Sequence, residues 1–130
     1  MDITLKKEIE LYQNLSKLAV KKLPPALSYA ISKNMKTMEE DIEIIEKKRM
    51  ELIETYCTKN DDGTAKTENG TYDLGENKVK FITEYEEYLN SNTELNVRKV
   101  GFTELEKTES DRYDVFTAEE IKAIDFMLED

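Results

Sequence analysis

The chain has 130 residues, 19 Lys/Arg against 29 Asp/Glu, a formal net charge of -10, one cysteine and no histidine. That length predicts one domain in which folding removes about two thirds of the unfolded chain's surface from water. The missing histidines exclude every Ser-His, Cys-His and His-ligated metal mechanism, and the lone Cys57 excludes an internal disulfide. No stretch reaches the ~20 apolar residues of a membrane span, and the opening MDITLKKEIE lacks the apolar core of a signal peptide. The expectation is a cytoplasmic protein without a membrane partner.

Charge divides the chain. Residues 1–60 carry a net of +1, whereas residues 61–130 carry a net of -11, so the whole acidic excess lies in the second half. Two portions of one folding unit are therefore expected: a helical hairpin over 1–60 and an acidic α+β portion over 61–130. The fold class is mainly α.

Apolar residues Leu5, Ile9, Tyr12, Leu15, Leu18 and Ala19 recur at helical spacing and predict a helix over 4–22. The tandem Pro24 and Pro25 interrupt it, because proline lacks the amide donor and drives the preceding residue out of helical geometry. From Ala26 to Lys59 no glycine or proline intervenes. Ile31, Met35, Met38, Ile42, Ile45, Arg49, Leu52 and Tyr56 then follow at alternating steps of four and three, a heptad seam. Arg49 is its one polar member, expected to lay its stem on the seam with its charge in water. The short connection makes the two helices antiparallel neighbours. A long helix of this kind spans roughly 48 Å, so the first helix covers only part of it. The distal seam, Ile42, Ile45, Arg49, Leu52 and Tyr56, therefore needs a partner from the second half or from another copy, and self-association through it is expected.

Asn69-Gly70 is a preferred two-residue hairpin turn, with strands expected over 64–68 and 71–74. Val79, Ile82, Tyr85 and Leu89 mark a helix over 76–89. Residues 95–98 alternate as a strand does, and a second extended run over 112–116 is expected to pair with it. Thr117 and Glu120 form a capping box for a last helix with the face Ile121, Ile124, Met127 and Leu128.

No constellation carries catalysis or a cofactor. Placing Gly63 at the sixth position of a calcium loop puts Thr58 first and Asn69 twelfth, so the leading aspartate and closing glutamate are missing. The paired carboxylates, Asp41 with Glu39 and Glu40 among them, read as solvated helix faces, and Cys57 as a small apolar residue without a base to ionise it. The four glycines form no phosphate loop or nucleophile elbow. Basic clusters exist at Lys6 and Lys7, at Lys17, Lys21 and Lys22, and at Lys47, Lys48 and Arg49, but the net charge repels nucleic acid at range. The helix residues Glu84, Tyr85, Glu86, Glu87 and Tyr88 combine carboxylates with aromatics, as a surface that meets a basic protein does.

The run LPPALSYAISKNMKTMEEDIEIIEKKRMELIETYCTKNDDG, then ENGTYDLGENKVKFITEYEEYLN and the closing EEIKAIDFMLED resembles small uncharacterised proteins carried by phages and prophages of Gram-positive bacteria. It covers about residues 20–130. The resemblance implies a phage-associated setting, in which short acidic proteins bind host machinery or assist virion assembly. The functional expectation is a non-enzymatic protein that inhibits a host protein with a basic surface, such as a defence nuclease. The alternatives are an oligomeric structural or assembly protein and a nucleotide-sequestering binder using the lysines and Arg49.

Overall fold

Thr4 ends a three-residue strand, Asp2–Thr4 (β1), and its hydroxyl accepts the Lys7 amide at 3.1 Å, which starts the helix Leu5–Leu18 (α1). The computed structural model describes residues 1–130. α1 stops earlier than its apolar spacing predicts, because the backbone of Lys22 is used elsewhere: its amide donates to the Asp114 carboxylate at 2.7 Å and its carbonyl accepts the Asp114 amide at 2.8 Å. Pro24 is extended and Pro25 opens the 32-residue helix Pro25–Tyr56 (α2), at a position where the missing amide costs no hydrogen bond.

α1 and α2 pack antiparallel, as expected from the short connection: Tyr12 donates to Glu39 while Glu8, one turn earlier, meets Asp41 further along α2. The buried face of α1 is rotated from the expected one. Leu11, Leu15 and Leu18 are buried together with Glu8, whereas Ile9 is only half-buried and Ala19 is exposed.

After Cys57 the chain forms a hairpin, Thr67–Glu68 (β2) against Thr71–Tyr72 (β3), shorter than expected but turning at the expected residues. Asn69 and Gly70 both take positive φ, 53° and 79°, as a turn that follows strand twist requires. A 3-10 turn at Gly75–Asn77 leads into the helix Lys78–Leu89 (α3). α3 runs antiparallel to the distal half of α2, with Glu84 at Tyr56 and Tyr88 beneath Lys48. At 1.5 Å per residue α1 and α3 span roughly 21 and 18 Å, so end to end they cover most of the roughly 48 Å of α2. The strand Asn92–Glu94 (β4) pairs antiparallel with β1 at the junction, and the Leu5 amide donates to the Ser91 carbonyl, tying the start of α1 to the end of α3.

The predicted pairing of 95–98 with 112–116 is not formed. Burial alternates there, with Leu95 buried and Asn96 exposed, but the Leu95 amide donates to the Met1 carbonyl and the Arg98 amide to the Asn34 side chain. A side-chain amide of α2 thus stands where a partner strand would. Residues 112–116 dock instead on the connection between α1 and α2 through Asp114. The segment 102–107 contains a short helix, Thr103–Glu106 (α4), after the strand Val100–Gly101 (β5).

Thr117 and Glu120 close the expected capping box at the helix Ala118–Ile124 (α5). α5 ends before its apolar face does. A 3-10 turn at Asp125–Met127 redirects the chain into Leu128–Glu129 (β6), which pairs parallel with β5. The main core draws on both halves of the chain: Leu11, Leu15, Leu27, Ile31 and Met38 pack with Leu95, Leu105, Phe116, Ile124 and Met127. Ile45, Leu52 and Ile53 further along α2, Cys57 just past its end and Leu89 at the end of α3 are buried outside that cluster.

Candidate interaction surface

Positions 84 and 86 of a helix lie about 200° apart. Glu84 and Glu86 consequently flank the buried face of α3 on opposite sides, and each finds a different partner. Glu84 accepts the Tyr56 hydroxyl, a hydrogen bond that raises the phenol's pKa above its usual value, and Glu86 reaches Lys6 of α1 at 3.5 Å. Glu87 is exposed and has no lysine or arginine within salt-bridge distance. Tyr85 and Tyr88 do not join the glutamates. Both are half-buried and turn toward α2, where Tyr85 lies near Arg49 and Tyr88 lies under Lys48 at 6.0 Å; the Tyr85 ring also packs obliquely on Phe81, one turn earlier on α3, with ring centres 5.7 Å apart. Burial raises the Tyr85 pKa. The structure thus brings the five residues onto one helix without merging them into one patch.

The distal seam is occupied within the chain. Ile45 and Leu52 are buried, Ile42 and Tyr56 half-buried, and α3 lies along this stretch. Arg49 keeps its guanidinium at the surface, where it donates to Glu46 at 2.9 Å. Cys57 is buried, with its sulfur against the Thr58 and Lys66 carbonyls. The Asp62 carboxylate accepts from the amide and the hydroxyl of Thr64, which lowers its pKa and organises the turn.

Two features escaped the reading of the sequence. Glu8 is fully buried and no N–H or hydroxyl donor reaches either carboxyl oxygen; burial first, then a hydrogen bond shared with the Asp41 carboxyl, pushes its pKa up to about 8. The signal was available, since Glu8 lies three residues from both Leu5 and Leu11 and so shares their face. Two carboxyls side by side resemble an acid/base pair, but Glu8 has no exposed surface through which a substrate atom reaches it. The second feature is an apolar cleft between α4, the segment 112–116 and α5, with Phe102 and Val115 exposed at its walls. Its signal was an aromatic residue, Phe102, opening an acidic stretch.

No helix is long and apolar enough to cross a membrane, and no three His, Cys, Asp or Glu side chains are grouped to hold a metal ion. No family model, curated protein or solved structure matches the chain.

Proposed function

We propose that this protein acts by binding a basic protein partner and performs no catalysis. The observation that carries the reading is the net of -11 in residues 61–130, where exposed carboxylates such as Glu87, Glu106 and Glu109 have no cation within salt-bridge distance. Unpaired surface carboxylates cost little in water and attract a basic surface over about a Debye length, ~10 Å at 0.1 M salt. The resemblance to phage and prophage proteins supports a host protein as the partner and the host cytoplasm as the place. A nucleic-acid-handling site, such as that of a defence nuclease, has the required charge, and an acidic protein seated on it blocks its substrate.

Capture from lysate of a Gram-positive host on the immobilised protein tests this. Basic proteins should be retained at roughly 0.05 M salt and released near 0.5 M, and a variant with several of residues 84–109 reversed to lysine should lose them. Retention indifferent to salt and to charge reversal overturns the reading. The alternative, an oligomeric assembly protein, requires self-association; light scattering of the wild type gives its mass directly.

A further inference from the structure

We infer that the cleft between α4 and α5 is an anchor pocket that takes one large apolar side chain, aromatic or aliphatic, presented by a basic segment of the partner. This rests on the proposed binding role and names where, and by what chemistry, the partner is held.

The cleft has a volume of about 130 Å³. An engineered apolar cavity of roughly 150 Å³ accommodates benzene, so the space suits a single leucine or phenylalanine side chain. Leu105 and Phe116 line it and are buried, while Phe102 and Val115 stand exposed beside them. Thr108, also lining the cleft, is already satisfied, since its hydroxyl donates to the Leu105 carbonyl at 2.6 Å. An apolar guest therefore leaves no polar group stranded there.

The rim decides the charge of the occupant. Glu106 and Glu109 line the cleft, are exposed, and have no cation within salt-bridge distance. Three cations of the surrounding segments are engaged elsewhere: Lys107 pairs with Glu104 at 2.8 Å, Arg112 lies over the Tyr113 ring, and Lys21 is held by Glu120, by the Val115 carbonyl and by the Phe116 ring. An apolar floor under a negative rim fits a lysine- or arginine-flanked apolar residue. It disfavours an acidic segment, whose carboxylates would meet Glu106 and Glu109.

The test uses the full chain and two synthetic peptides: lysines flanking one central phenylalanine, and the same peptide with alanine at the centre. Backbone amide NMR shifts should move around Phe102, Glu106 and Val115, the phenylalanine peptide should bind at least about tenfold more tightly, and Val115→Lys should remove that difference. Val115 is 64% exposed, so this variant is expected to fold. Equal affinity for the two peptides overturns the anchor pocket. Shifts centred on Glu84 to Tyr88 also overturn it, while leaving the binding of a basic partner in place. No saturable binding by millimolar peptide overturns both.

Discussion

The buried side chain of Asn34 holds the backbone of Arg98 from both sides: its Nδ2 donates to the Arg98 carbonyl at 3.0 Å and its Oδ1 accepts the Arg98 amide at 2.7 Å. This is the hydrogen-bond pattern of a neighbouring strand, supplied by one amide on α2. It anchors the chain between β4 and β5 to the long helix. Asn34→Ala removes both bonds and leaves the Arg98 backbone groups without their protein partners, so it should lower stability by about 2–3 kcal/mol in urea unfolding. The Arg98 amide should lose its hydrogen-exchange protection first. Unchanged protection there would mean that the segment is held by other contacts.

Glu8 makes stability depend on pH in an unusual direction. Its pKa rises from 4.5 to about 8 in the folded chain, so within that window the folded protein keeps a proton that the unfolded chain releases. The contribution is complete below the lower value and declines as pH climbs toward 8, by up to about 1.4 kcal/mol per unit. Glu8→Gln, neutral throughout, should flatten the urea midpoint between pH 5 and 8 and stabilise the protein at the upper end. An unaltered profile would show that Glu8 is ionised in the folded state.

Ile45 is 3% exposed where the start of α1 and the end of α3 meet on α2. A carboxylate there has no water, so Ile45→Asp should cost about 3 kcal/mol or more and unfold the distal half of α2 together with α3. Circular dichroism should record lost helix. A folded variant of lower mass by light scattering would instead identify Ile45 as a contact between copies.

The Tyr56 to Glu84 hydrogen bond is exposed, so removing it should change stability little. Its titration is the more sensitive readout. The bond to Glu84 is the largest cause of the raised Tyr56 pKa, so Glu84→Gln should bring the phenol back toward 10.0 in an ultraviolet titration. No movement would place the cause elsewhere.

The elements legible in the sequence are those whose information is local. A proline pair limits helices wherever it stands, Asn69-Gly70 turns a hairpin through its own backbone preference, and Thr117 with Glu120 closes a box within one turn. Periodicity located α2 and α3, but the covered flank of α3 is Phe81, Tyr85, Tyr88 and Leu89, while Val79 and Ile82 of the expected face are exposed. What tertiary structure alone decided are pairings with no local signature. β1 meets β4 some ninety residues away through strands of three residues, and β5 and β6 have two residues each, too short for alternation to register. The extended run at 95–98 found the amide of Asn34 rather than a strand, because any correctly placed donor and acceptor satisfies a backbone. The carboxyl of Glu8 is carried into the interior by the apolar residues on its face, and the cleft beside Phe102 exists only once three segments from 102 to 121 are folded against one another. Local preferences act over a few residues; which buried surfaces meet is settled by the packing of the whole chain.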